Sequence, residues 1–396
     1  MKKGFTLIEL LAVIVILAII AVIAVPIVIN IIDESKENAS LRSAEMYLDA
    51  VELSLANSIM NHGAIDNDAY KIMSNGDICL EDYDNQTGEC KDKNNDKIID
   101  KLIIDVKGAA PTTGTIVIEK GEIVNVLSTD TTKKTELLIN EKSITKNVKN
   151  EIVYVKTLDE VCTPSSEQKY APNKYDAGYK YNCKVDPNKE PYEFYVLNTR
   201  NVKNEIIEES TLDKEAVSVN LIMAQNINSD GTPATEGIRI DQSKIYNLVR
   251  WIDGNDYKKA GGNDTDLKNL ENLNIYGPIT AMNFLNEATK NWTNINEMTV
   301  NSFDNNNSEI PPTPMKEYNT YARMPYYSEV KNISIEKTWL IENLHNGDDA
   351  GYWTLSASTN RSYCAWHVHY TGYVHNYIAV HDGGDNGVRP VINLKI

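Results

Sequence analysis

Phenylalanine is scarce in this 396-residue chain, with 4 Phe against 22 Tyr. That ratio, with abundant Asn and Thr, points to an extracellular surface protein more than to a cytosolic enzyme. Basic residues are also in short supply: 39 Lys and Arg against 56 Asp and Glu leave a formal net charge of −17. Gripping a polyanion needs clustered Lys and Arg, so nucleic acid is not an expected partner. Cysteines number 5. No small-residue A-x-A-like exit follows the apolar start of the chain, which argues against a cleaved secretory signal peptide.

What the sequence does have begins at once. The run from Leu10 to Val25 is uninterrupted but short for a bilayer. With Thr6 to Ile8 before it and Ile27 to Ile32 after it, the stretch exceeds the ~20 residues that cross ~30 Å of hydrocarbon. Glu9 is the one charge in this register, and a carboxylate in hydrocarbon costs roughly 2.5–3.5 kcal/mol. A plain membrane anchor gives that charge no purpose. Lys2 and Lys3 put the N-terminus in the cytoplasm, sending the acidic bulk outward.

The small residue that a signal peptide would carry after its core stands before it here. Lys3-Gly4-Phe5-Thr6-Leu7-Ile8-Glu9 resembles the processing motif of type IV prepilins and related pseudopilins. The resemblance implies cleavage after Gly4 by a prepilin peptidase facing the cytoplasm, and N-methylation of the freed Phe5. It gives Glu9 an assembly role, pairing with the N-terminal ammonium of a neighbouring subunit, so that two buried charges neutralise each other only on assembly. Pro26 falls where pilins carry a helix-loosening proline. The partners implied are other pilin subunits, the peptidase, the pilus assembly machinery and the membrane. The implied location is a single pass through the cell membrane, then an extracellular pilus or the cell surface.

Beyond the anchor, Leu41, Ala44, Leu48, Val51, Leu55 and Ile59 recur at helical steps. No Pro or Gly after Pro26 separates this stripe from the anchor, so the spacing predicts one helix from Phe5 to Asn61, spanning the membrane over about 7–32 and amphipathic over about 33–61, with Gly63 as its stop. An antiparallel β head is expected over 62–140, with strands at Lys101 to Val106, Thr115 to Ile118 and Ile123 to Leu127. Gly114 and Lys120-Gly121 read as turns. The stretch Asp105 to Ile118 resembles the strand-turn-strand of pilins from Gram-positive bacteria.

Cys79 with Cys90, and Cys162 with Cys183, are candidate disulfides of an oxidising compartment, leaving Cys364 over; spacing does not fix the connectivity. Asp92, Asn94 and Asp96 sit at calcium-loop positions, but Lys97 replaces the turn glycine and Ile103 the closing acid, which favours a solvated loop over a metal site. The polar, Pro-containing stretch 141–189 reads as a connecting region. A new domain starts near Glu190, with strands at Pro191 to Asn198 and Ala216 to Met223 and a helix over Tyr276 to Trp292. The stretch Asn301 to Pro314 reads as a loop.

Arg323-Met324-Pro325, then Gly351-Tyr352-Trp353, then Ala365-Trp366, then Gly387-Val388-Arg389-Pro390-Val391-Ile392 resemble the skeleton of C-type-lectin-like folds of the formylglycine-generating-enzyme type. The resemblance implies a compact α+β module over 190–396 used as a binding head. Activity in that enzyme family rests on a copper-binding cysteine pair, and Cys364 alone cannot supply one, so no enzymatic activity and no cofactor are expected. His367, His369, His375 and Tyr377 form a candidate ligand face for a surface glycan or protein, sharing one side of a hairpin if the turn at Thr371-Gly372-Tyr373 has three residues. The expected whole is an α+β chain: a long transmembrane pilin helix, a small β head and a lectin-like domain. The expected role is a minor or tip subunit presenting an adhesion module. A pseudopilin of a type II secretion or competence machine is the alternative.

Overall fold

The computed structural model describes residues 7–63, 65, 67–80, 82–84, 87, 89–91, 101–106, 108–123, 135–147, 149, 151–201, 206–207, 217–234, 240–241, 244–245, 248–301, 317–331, 338–342, 344, 351–376, 380 and 386–396. The chain forms two compact units. One comprises Met1–Val124, Thr135–Thr145 and Ile152–Tyr154; the other comprises Asn125–Lys134, Lys146–Glu151 and Val155–Ile396.

The first unit is built on helix α1, Leu7–His62, 56 residues without a break. At 1.5 Å per residue it is about 84 Å long. It stops where the glycine predicts: Gly63 has φ +95° and its N–H bonds to Ile59 O at 3.0 Å, closing the last turn. Ala44, Leu48, Val51 and Leu55 of the predicted stripe are buried, and Tyr47 joins them. Among the described residues no helix is long and apolar enough to cross a membrane. The span expected over about 7–32 includes positions such as Leu10, Ala12, Ile19 and Ile20 whose side chains lie outside the described residues.

Against the buried stripe lies a sheet. Its strands are β1 (Asp68–Ile72), β2 (Ile78–Cys79), β5 (Lys101–Leu102), β6 (Thr113–Glu119), β7 (Glu122–Ile123), β8 (Glu136–Ile139), β9 (Lys142–Lys146) and β10 (Ile152–Tyr154). A separate hairpin pairs β3 (Asp82–Asp84) with β4 (Glu89–Lys91). The order in the sheet is β10-β9-β8-β6-β1-β2-β5, with β7 on β6. Ile72, Ile116, Ile118, Leu137, Ile139 and Ile144 form the core with α1. The β6–β7 turn has two residues, Lys120 and Gly121, both at positive φ, which matches the right-handed twist of the strands. Gly114 is not a turn. It lies inside β6 opposite Ile72, where a Cβ would come within 2.0 Å of Glu136 O, so its job is close strand approach. The strand expected from Lys101 to Val106 is cut to two residues, and the calcium-like loop Asp92 to Asp100 lies outside the described residues.

The second unit carries an antiparallel five-stranded sheet of β11 (Cys162–Pro164), β12 (Lys180–Cys183), β13 (Tyr192–Arg200), β14 (Ser218–Met223) and β22 (Val391–Lys395), in that order. Lys395 also bridges to Thr157 in parallel. The segment 141–189, read as a connection, is therefore divided: β9 and β10 complete the first sheet, while β11 and β12 open the second. Its Lys- and Asn-rich composition hid the short alternation of Ile144 and of Tyr181 and Cys183, which are buried. The remaining strands are β15 (Ile240–Asp241), β16 (Lys244–Ile245), β17 (Met298–Asn301), β18 (Glu317–Thr320), β19 (Tyr352–Ala357), β20 (Ala365–Val368) and β21 (Val374–His375). The predicted helix forms over Ile279–Thr289 and buries Ala281, Met282, Leu285 and Ala288.

Two hydrophobic clusters hold this unit. One gathers Trp251, Trp292 and Trp353; the other gathers Tyr195, Trp339, Tyr352, Val368 and Val391. The sheet β19-β20-β21 contributes to both, with Trp353 and Ala365 in the first cluster and Tyr352 and Val368 in the second. It is thus covered on both faces where β20 runs.

Candidate functional site

The processing residues Gly4 and Phe5 lie outside the described residues, and Glu9 lies in α1 with its side chain outside them. The cysteine pairs are formed. Cys79 is joined to Cys90, with Cα atoms 5.5 Å apart, and Cys162 to Cys183 at 4.0 Å, directly opposite each other on β11 and β12. Cys364 is free and buried, and burial pushes its thiol up, away from a reactive thiolate.

The histidine hairpin is β20 and β21. His367 pairs with His375 and Val368 with Val374, leaving Tyr370, Thr371 and Gly372 as a three-residue turn closed by His369 N–H to Tyr373 O at 2.8 Å. The turn is one position earlier than expected, but an odd loop keeps the same residues on the same face. The three imidazoles do converge: the His367 and His375 rings are 6.0 Å apart, as are those of His369 and His375. Their environments differ sharply. His367 is fully buried against Trp353, 5.9 Å away, and burial, reinforced by the neighbouring imidazoles of His375 and His369, pushes it down to about 3. It belongs to the core and not to a solvent-facing strand, so it drops out of the expected ligand face. His369 and His375 are half-buried, and His369 Nδ1 is 2.6 Å from Thr371 Oγ1. Tyr373 is half-exposed beside His375, ring centroids 5.6 Å apart. Tyr377 and His381 lie outside the described residues. Among the described residues no three His, Cys, Asp or Glu side chains form a metal-binding group. What the hairpin offers is a small patch of imidazole and phenol rings.

The polar centre of this unit was not predicted as a site. Arg323 grips Glu329 with both terminal nitrogens, Nη1 to Oε2 and Nη2 to Oε1 at 2.7 Å each. Arg200 Nη2 adds a bond to Oε1 at 2.8 Å, and the Tyr326 N–H one to Oε2 at 2.8 Å. Burial would raise the Glu329 carboxyl, but the guanidinium groups of Arg323 and Arg200 and the backbone donor hold it down to about 2. Arg389 is likewise buried. Its Nε bonds Met223 O at 2.6 Å, Nη2 bonds Ala224 O at 2.8 Å and Nη1 bonds Leu340 O, while the guanidinium lies over the Tyr352 ring. Both Arg323 and Arg389 were visible as motif residues. Nothing in the sequence linked Arg200 to Glu329, 129 positions away. The partners of these groups all lie inside the fold, carboxylate and guanidinium in one cluster and backbone carbonyls around Arg389, and their work is to hold it.

Residues 1–25 match a known family, the Prokaryotic N-terminal methylation motif. This is the motif of a type IV pilin or pseudopilin-type precursor. For such a precursor the partners are a prepilin peptidase and other pilin subunits. No curated protein and no solved structure matches the chain.

Proposed function

We propose that this pilin-type precursor is inserted in the membrane by the apolar start of α1, cut after Gly4, methylated on Phe5 and assembled into a surface filament through α1. The observation that carries this reading is the motif over residues 1–25 running without interruption into a 56-residue helix whose far half is packed on a sheet. Assembly and display are then two ends of one rod. More than 300 residues follow α1, a bulk that would crowd a helical lattice, which supports a minor or tip subunit. The second unit is read as a binding module of lectin-like type. Its Arg323 and Arg389 motif residues serve as internal fasteners, and its lone Cys364 is buried with a raised thiol, which supports binding over catalysis. The half-exposed Tyr373, His369 and His375 are the residues proposed to meet a glycan or protein ligand.

The test compares wild type, Gly4→Ala and Glu9→Ala by intact mass and N-terminal analysis of material from the native membrane. The expected wild-type chain starts at N-methylated Phe5. Gly4→Ala should remain uncleaved, and Glu9→Ala should be cleaved but absent from filaments. An uncleaved wild-type start at Met1 or Lys2 would overturn the reading. Cleaved wild-type chains that never leave the envelope would instead favour a pseudopilin.

A further inference from the structure

The connection between β19 and β20, Ser358 to Cys364, is held at many points. Asn274 is buried beside it, and its Nδ2 reaches three of its carbonyls, Ser358 O and Cys364 O at 2.7 Å and Arg361 O at 3.1 Å. Ser362 is tied twice to the same segment, its O accepting from Asn274 N–H at 2.9 Å and its Oγ from Asn272 N–H at 3.1 Å. Asn376 Nδ2 donates to Ser358 Oγ at 3.0 Å. Within the connection, Ser358 N–H bonds Cys364 O and Cys364 N–H bonds Arg361 O, each at 3.0 Å. What this cage leaves outside is Thr359, Asn360 and Arg361, all exposed. A loop tip ordinarily loses freedom when a partner binds, and here much of that cost is removed beforehand.

Charge selects what meets this tip. In the second unit Lys169, Lys174, Lys180, Lys258, Lys259 and Lys290 each have a carboxylate within 3.5 Å. Three of the unit's arginines, Arg200, Arg323 and Arg389, are buried fasteners. Arg361 is neither. It is exposed and forms no ion pair among the described residues, and its guanidinium lies beside the Cys364 thiol, which supplies no counter-charge. We infer that Thr359, Asn360 and Arg361 form a binding site for an acidic sugar, with Arg361 on its carboxylate. A guanidinium receives a carboxylate through two parallel N–H···O bonds, a fit that a lysine does not offer. The neighbouring Asn360 amide and Thr359 hydroxyl both donate and accept, as ring hydroxyls require. A peptide fits less well, because a single turn presents no strand edge along which an extended main chain could pair. The site lies at the end of β20 opposite the turn at Tyr370 to Gly372, and stands independently of the ligand face proposed there.

Ligand-observed NMR on the full chain in detergent micelles tests this, with trigalacturonic acid and sialyllactose as probes beside their neutral counterparts maltotriose and lactose. At least one acidic sugar should bind where its neutral counterpart does not, and added salt should weaken the binding. Arg361→Ala should weaken it about tenfold or more, and Arg361→Lys by less, with the tryptophan unfolding transition unchanged because the side chain is exposed. Acidic sugars that bind no better than the neutral ones, or that bind Arg361→Ala as well as wild type, overturn the inference. A triglutamate peptide that binds as tightly as the sugars and is lost with Arg361→Ala overturns the sugar assignment and makes the tip a site for peptide carboxylates.

Discussion

The two units solve the problem of burying a core by different means. The first lays one face of a single helix on an antiparallel sheet, and its buried residues are almost all aliphatic: Leu48, Val51, Leu55, Ile72, Ile116, Leu137 and Ile144. The second is rich in loops and short elements, and at its centre sit a carboxylate with two guanidinium groups and a caged Arg389. Periodic elements satisfy their own backbone groups, so apolar contact suffices to join them. Irregular segments leave carbonyls and amides to be satisfied case by case, and buried Arg side chains with several donors do that at Met223, Ala224 and Leu340. The difference predicts that losing a partner of the buried ion cluster costs the second unit far more than losing the buried Tyr47 hydroxyl costs the first.

The strongest way to break that contrast is Glu329→Ala. It leaves Arg323 and Arg200 buried without their counter-charge, which costs about 3–5 kcal/mol. All five Trp lie in the second unit, so their fluorescence follows it alone, while far-UV circular dichroism is dominated by α1. The tryptophan transition should fall steeply and the helical signal should hold. A Glu329→Ala chain whose tryptophan transition is unmoved would show the cluster to be incidental.

Acid sharpens the comparison more gradually, and near pH 5 the effect is the smaller one. His367 is held neutral to about pH 3, while an unfolded histidine takes its proton near 6.5. Its contribution to stability is therefore complete above 6.5 and is lost as pH falls from there towards 3, by up to about 1.4 kcal/mol per pH unit. Glu329 stays charged to about pH 2 against an unfolded value near 4.5, so its contribution is lost between about 4.5 and 2. The second unit should weaken in two overlapping steps. His367→Phe, which keeps a ring against Trp353, should flatten the decline between pH 6.5 and 4.5 and leave the lower step. An unchanged upper step would assign it to another group.

How much of this could be read in the sequence follows the same division. The helix, its glycine stop and its buried stripe were legible because apolar residues recur at helical steps from Leu41 to Ile59 and no Gly or Pro interrupts the chain between Pro26 and Gly63. Tyr47 was passed over because its ring is as often half-wet as buried. The disulfides were legible only as proximity. His367 was misplaced because alternation assigns faces only when one side of a strand is wet, and β20 is covered on both sides. The Arg200–Glu329 contact had no local trace, because nothing in composition or spacing ties two elements of a loop-rich core together.

The smallest expected effect probes a buried polar tie in the first unit, one of several that fasten α1 to its head, beside Asn140 Nδ2 to Ser40 Oγ and Tyr154 OH to Glu37 O, each at 2.8 Å. Tyr47 is fully buried, and its hydroxyl donates to Gly76 O at 2.5 Å; burial, and then the charge of Asp77, push the phenol well above its usual range, so it remains a donor at any physiological pH. Gly76 sits at φ +87° in the turn before β2, with space for no Cβ beside Ala110. The bond thus fixes a tight turn to the helix, but the ring that carries it is already held by Leu48, Val51 and the sheet. Tyr47→Phe keeps that packing and removes one neutral hydrogen bond, worth about 1 kcal/mol. The far-UV transition should fall by only a few degrees, with the tryptophan transition unchanged. A loss as large as that from Glu329→Ala would mean that the first unit, too, depends on a polar tie, and that its aliphatic core is not sufficient.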